Sequence, residues 1–413
     1  MTATALLNGI AVIIDDHIDD KSCADPILDI KNQIEKKHIP VLGYSELPDD
    51  DQIKHFSNAA FVIIDWDLKS TEEMPMAVTP GSALQESKEE SVASFIIKLK
   101  DYYFGPVFIF SNQSEKSIED KLKEVFQNTG GTSQCKDFMD YISVKKKNEL
   151  QDNRLFDEIN KWFKDKPSIY VIKKWDESLN KSKRNLFWHL YELNHNWPRI
   201  FWRAFKDDST DPSVELRDLL SRNLVSRLET CEFEEESIGE IVDKIDHNDI
   251  RKVMCGEKFI DSSLLDIKTV TCGDVFHQKE NDIDYYYVNI RPACDCIPRD
   301  GENGVDSVNM YLIRGTRLTD AQIKSSYLKK YHKFDENAVF TILSFISHGN
   351  ENITIKMHFN DFFVKTYGDF KDYRVGRLLP PHITHIKQKY AAYLQREGFI
   401  PTPECAIPIE SKK

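Results

Sequence analysis

Five side chains in this sequence have the types and placement for phosphoryl transfer. Asp15 and Asp16 follow the apolar run Ala11-Val12-Ile13-Ile14, and Asp65 follows Phe61-Val62-Ile63-Ile64. Carboxylates that end neighbouring strands of a parallel sheet converge on one rim. There they repel one another and raise each other's pKa unless a cation sits among them. A hard, oxygen-seeking divalent ion such as Mg²⁺ suits that set. Ser111 ends the run Phe108-Ile109-Phe110 with a hydroxyl, and Lys173 ends residues 168–172 with a compact positive charge. An aspartate nucleophile, an acid pair, a hydroxyl and an amine are the parts needed to make an aspartyl phosphate. The carboxylate attacks while metal and amine neutralise the phosphoryl oxygens.

Such a rim requires short strands buried on both faces. Residues 10–14, 60–64, 106–110 and 168–172 are continuous apolar runs rich in β-branched and aromatic residues, as strands of that kind read. Residues 40–43 make a fifth, shorter candidate. Helical stretches lie between them. One spans residues 25–37, with Asp25 as N-cap and Pro26 in the first turn, and another spans 89–100. The alternation predicts a doubly wound α/β domain with a five-stranded parallel sheet over residues 1–178. Its ligand site belongs at the carboxyl ends of the strands. The lysine-rich stretch 113–166, with Gly130-Gly131 inside it, reads as an enlarged helical excursion before the last strand.

Residues 179–258 read as a helical linker region. Asp211-Pro212 starts a helix whose Leu216, Leu219, Leu220, Val225 and Leu228 fall at helical spacing. The aromatic-dense cluster Phe187, Trp188, Trp197, Phe201 and Trp202 is expected to be core. Residues 259–413 read as a β-rich, barrel-like domain, with strands over 284–290, 308–314, 338–347 and 353–359 and a terminal helix after Pro380-Pro381.

The order of these strands and side chains resembles a response-regulator receiver domain over about residues 5–178. The resemblance implies an acid pair at Asp15 and Asp16 and a phosphoacceptor at Asp65, within Ile63-Ile64-Asp65-Trp66-Asp67-Leu68. It also implies a metal-binding backbone carbonyl at Asp67, the hydroxyl at Ser111, the amine at Lys173 and a switch aromatic, three residues earlier, at Tyr170. It further implies Mg²⁺ as cofactor, a histidine kinase as phosphoryl donor and a downstream effector protein. The sequence departs from the family where proline is usual, with Lys174 after the amine and Lys69 four residues after Asp65. The gaps of 46 residues from Asp65 to Ser111 and 62 from Ser111 to Lys173 are also long for the family. The chain thus looks like the divergent receivers of bacterial conflict and anti-phage phosphorelays. Gly273-Asp274-Val275-Phe276, residues 285–290, Pro292-Ala293-Cys294-Asp295-Cys296, residues 374–381 and the terminal helix resemble a small β-barrel module of bacterial conflict proteins, loosely similar to toxin-type SH3-like barrels. That leaves a binding or toxin-like module as an alternative function.

A second enzyme class shares some of these parts. Haloacid-dehalogenase phosphatases resemble Asp65-Trp66-Asp67, Ser111 and Lys173 in order, with Asp67 as acid/base, but their further acids follow the lysine. Here the strong acid pair precedes Asp65, and Asp207-Asp208 follows an aromatic helical stretch. With 55 basic against 68 acidic residues and a net charge of −13, the chain is not expected to bind nucleic acid. It contains no apolar run near the roughly 18 residues of a membrane span. Eight scattered cysteines point to small buried thiols and a reducing cytoplasm. Cys272, Cys294, Cys296 and His277 fall short of zinc-site spacing. Arg291, Arg314, Arg317 and Arg377 are expected in ion pairs, and His382 and His385 on a helix surface.

Overall fold

The computed structural model describes residues 7–20, 25–68, 88–130, 139, 141–151, 153–240, 245–298, 304–349, 351–398, 402–403 and 406. The chain divides into two compact units, Met1–Glu192 with Arg222–Ile241, and Leu193–Ser221 with Val242–Lys413. The stretch expected as a linker is therefore shared between them. Lys69 lies outside the described residues.

The first unit is built on five parallel strands: β1 (Ile10–Ile14), β2 (Val41–Tyr44), β3 (Ala59–Asp65), β4 (Val107–Ser111) and β5 (Ile142–Lys146). Their order is β2-β1-β3-β4-β5, the flavodoxin-like arrangement. Every residue of β3 and β4 is buried, because helices cover both faces. On one face, α1 (Pro26–Lys36) packs Ile27, Ile30 and Ile34 into the sheet. Asp25 caps this helix, its carboxylate accepting from the Ile27 N–H at 2.9 Å. The other face carries a short helix α2 (Asp50–Ile53), then α3 (Lys88–Leu99) and α4 (Glu115–Gly130), which bury Val92, Ile96, Ile118 and Leu122.

The last strand is not where the apolar run placed it. Residues 168–172 open a long helix, and the strand beside β4 is β5, whose buried part is only Ile142, Ser143 and Val144. After β5 come α5 (Leu155–Asp165) and α6 (Pro167–Leu193). Pro167 presets the first turn of α6. Ile169, Tyr170 and Lys173 are buried while Ile172 is 43% exposed. That is the pattern of a helix with one face on a core, not of a strand covered on both sides.

The helices α7 (Trp197–Asp207) and α8 (Pro212–Ser226) bury no residue fully. The aromatic cluster expected to be core is exposed in part, with Trp188 at 63% and Phe187 and Trp202 also open. Asp211 caps α8 as its sequence implied, accepting from the Ser213 N–H at 2.8 Å.

The second unit holds a seven-stranded antiparallel sheet that nearly closes on itself. It contains β6 (Phe259–Asp261), β7 (Asp274–Glu280), β8 (Ile283–Asn289), β9 (Asn309–Arg317), β12 (Phe340–His348), β13 (Glu351–Thr366) and β14 (Arg374–Leu378). The order is β12-β13-β9-β8-β7-β14-β6, with β10 (Tyr327–Leu328) and β11 (Lys333–Phe334) forming a separate ribbon. β13 pairs with β12 along one edge and β9 along the other, and a register shift between Met357 and Phe362 bends it. Gly376 is required in β14, since a Cβ there would lie 2.2 Å from the Phe259 ring. A terminal helix, His382–Leu394, buries Ile383 and Ile386 against this sheet.

Candidate functional site

β1 and β3 are neighbours in the sheet while β2 lies on the other side of β1, so the chain reverses direction across the sheet between them. That is where an open α/β sheet leaves a crevice at its carboxyl edge. Asp15 extends β1 by one residue, its N–H donating to the Tyr44 carbonyl at 2.8 Å. Asp65 is the last residue of β3. Register pairs Ile14 with Ile64, so the acids that follow each strand arrive side by side. One ligand oxygen from each of Asp15, Asp16 and Asp65 lies within 4.8 Å of the others. Among the described residues this is the one such group of metal-capable side chains. The rim thus gathers the three expected acids, and their oxygen-only chemistry could hold a metal ion.

The amine on this rim is Lys147, not Lys173. Lys147 directly follows β5, whose last residue Lys146 pairs with Ser111 of β4. It is 2% exposed. Its Nζ lies 2.7 Å from Asp15 Oδ2, 3.0 Å from Asp65 Oδ2 and 3.7 Å from Asp25 Oδ1. A short 3₁₀ turn, Lys147–Leu150, aims it inward. Gln33 of α1 fixes that turn, donating to the Leu150 carbonyl at 2.9 Å and accepting from the Leu155 N–H at 3.2 Å.

Lys173 sits elsewhere, in α6, where its Nζ donates to the Ala59 carbonyl at 3.3 Å, at the start of β3. Tyr170 is likewise on α6, and its hydroxyl accepts from the Glu234 N–H at 3.0 Å. Neither is brought to the acidic rim. The residue three before Lys147 is Val144, which is not aromatic.

Ser111 ends β4 as expected, and its hydroxyl donates to Asp67 Oδ2 at 2.7 Å while accepting from the Gln113 N–H at 2.9 Å. The Asp67 N–H in turn donates to Asp65 Oδ1 at 3.2 Å. Asp67 thereby links the hydroxyl to the central acid. Trp66, between the two acids, is fully buried, and its indole N–H has no hydrogen-bond partner among the described residues.

The electrostatics follow from this geometry. Burial pushes the Asp65 carboxyl up to about 6; Lys147 opposes that shift, and the neighbouring Asp15 adds to it. Burial also raises Asp15, despite Lys147. Burial alone would lower Lys147, but Asp65 and Asp15 outweigh it and hold the amine charged. Lys147 faces Asp15, Asp65 and Asp25 directly, with Asp16 alongside, so carboxylates outnumber the ammonium they share. A proton on Asp65 or a bound cation relieves the imbalance.

Among its described residues the second unit shows no comparable group. Cys296 is a buried thiol accepting from Asn289 at 3.5 Å, Cys294 is exposed, and His277 pairs with Asp284 at 2.8 Å. Arg314 pairs with Asp361 at 3.1 Å, Arg317 with Glu351 at 2.7 Å and Arg377 with Asp274 at 2.5 Å. Arg291 donates to the Asn309 carbonyl. His382 lies 2.9 Å from Glu257. Among the described residues, no helix is long and apolar enough to cross a membrane.

No protein-family model matches this chain, and no curated protein or solved structure matches it either.

Proposed function

We propose that the first unit is a receiver-like phosphoacceptor, with Asp65 as the acceptor and a histidine kinase as the donor. The observation that carries this reading is Lys147, a buried ammonium bridging Asp15 and Asp65 beside Asp16. Asp15, Asp16 and Asp65, with the Asp67 backbone carbonyl, would hold Mg²⁺, which neutralises charge on the phosphoryl oxygens. An Asp65 carboxylate oxygen attacks the phosphorus of a phosphohistidine. The O–P bond forms, the P–N bond breaks, and the leaving imidazole takes a proton from water. Lys147 would pair with the acyl phosphate, the role the sequence resemblance gave to Lys173. Ser111 reaches the phosphoryl oxygens by releasing the Asp67 carboxylate. The Ser111–Asp67–Gln113 linkage is therefore the element that changes state, in place of Tyr170. The protein would act in the cytoplasm, as a regulator of a partner or as a phosphoryl sink in a two-component system of the anti-phage type.

The test is intact-mass analysis after incubation with acetyl phosphate and Mg²⁺. One added phosphoryl group is expected, lost with EDTA and in Asp65→Asn. Labelling that persists in that variant, or none in the wild type, overturns the reading. Repeated turnover of p-nitrophenyl phosphate would favour the dehalogenase-type phosphatase instead.

A further inference from the structure

The amine that does not join the acidic rim lines a separate cavity. At the amino edge of the sheet, opposite Asp65, a hollow of about 510 Å³ opens between the starts of β1 and β3 and one face of α6. That volume lies in the range of small-molecule sites. Lys173 forms its inner wall and is only 9% exposed. An ammonium offers three donors. The Ala59 carbonyl takes one, and the Tyr103 ring, 5.7 Å from Nζ, adds a weak cation–π contact. A full positive charge is thus held under cover beside an open space.

The α6 residues toward the mouth continue the same charge. Lys183 and Arg184 line the cavity, and Lys181 also lines it but is paired with Glu229 at 2.7 Å. Asp176 and Glu177 are the acids on the same wall, so the lining carries four cations against two anions in a chain of net charge −13. Asn8, Ser57, Asn58 and Asn180 supply neutral donors and acceptors. Burial lowers the Lys173 pKa and nearby Asp176 only partly restores it, so an incoming anion would gain from an amine its surroundings have left short of negative charge.

We propose that this cavity binds a small anionic metabolite, its phosphate or carboxylate seated on Lys173 and its hydroxyl or amide groups on the asparagine-lined wall. This site is independent of phosphorylation at Asp65. It lies where β3 starts, at the opposite end of the seven-residue strand that Asp65 closes.

Isothermal titration of the full-length protein in metal-free buffer, with inorganic phosphate and separately with acetate, tests it. One saturable site is expected for at least one probe, and the tighter probe assigns the charged group. Affinity should fall at least tenfold in Lys173→Met and be largely retained in Lys173→Arg. Should Lys173→Met misfold, the exposed double variant Lys183→Ala/Arg184→Ala, expected to weaken binding severalfold, decides in its place. Asp65→Asn should bind as the wild type does, which separates this site from the phosphoacceptor. No saturable binding, or binding unchanged in the Lys173 and double variants, overturns the proposal.

Discussion

Asp65 carries a stability penalty that can be measured without knowing the protein's partner. Its carboxyl is 3% exposed and is raised from an ordinary 3.8 to about 6. At about 1.4 kcal/mol per pH unit, holding it ionised in the fold costs about 3 kcal/mol. The sign follows from linkage. Below pH 4 the group is protonated in both states and costs nothing; between about 4 and 6 only the folded state keeps the proton, so stability falls as pH rises. Above pH 6 the full penalty applies. Asp65→Asn keeps the shape and removes the charge. Urea unfolding of the variant and the wild type, followed by tryptophan emission in EDTA, should show the variant up to about 3 kcal/mol more stable at pH 7.5. The gap should close toward pH 4, and taking the difference cancels titrations common to both proteins. Mg²⁺ should stabilise the wild type at pH 7.5 and affect the variant much less. A variant that is less stable at pH 7.5, or a gap that does not narrow on acidification, would refute the charge-repulsion account of this rim.

Other outcomes follow from the same contacts. Lys147→Met leaves buried carboxylates uncompensated and should destabilise the first unit by about 3–5 kcal/mol, with part recovered in Lys147→Met/Asp65→Asn, measured by the same unfolding assay. Mg²⁺ should change Trp66 fluorescence saturably, and Asp16→Asn should weaken that response at least severalfold. Ser111→Ala removes a hydroxyl hydrogen bond worth about 1 kcal/mol and should leave acetyl-phosphate labelling of Asp65 present, altering instead the lifetime of the phosphorylated form. Asp274→Asn strips the fully buried partner of Arg377 and Arg374 and should destabilise the second unit by about 3–5 kcal/mol, leaving the response of Trp66 to Mg²⁺ unchanged.

The parallel sheet was readable because β1, β3 and β4 are buried on both faces and therefore write themselves as unbroken apolar runs. Their terminal residues, Asp15, Asp65 and Ser111, could be located for the same reason. β5 escaped notice because it is an edge strand. Only Ile142 and Val144 are apolar, and they are followed by Lys145-Lys146-Lys147, which looks like a solvated lysine run. The more β-branched stretch at 168–172 drew the assignment, although Pro167 before it and a buried-exposed rhythm of helical period were the opposing signals. A strand at 142–146 would have shortened the gap from Ser111 to its lysine from 62 residues to 36. The exposure of the aromatic residues of α6 and α7 is illegible in the sequence for a different reason. Composition reports how much apolar surface an element carries, not whether the same chain covers it.

α6 runs unbroken for 27 residues, about 40 Å at the rise of an α-helix. Its root, Ile169 and Tyr170, is wedged in the hydrophobic layer beneath the sheet, and its tip presents Trp188 and Tyr191 to water. Yet the rod is seated along its length: Ser182, Leu186 and Leu190 are buried as well, and Ser182 donates to the Arg227 carbonyl at 3.0 Å. The aromatic pair is therefore displayed from a fixed platform, its position set by the packing on the opposite face of the same helix.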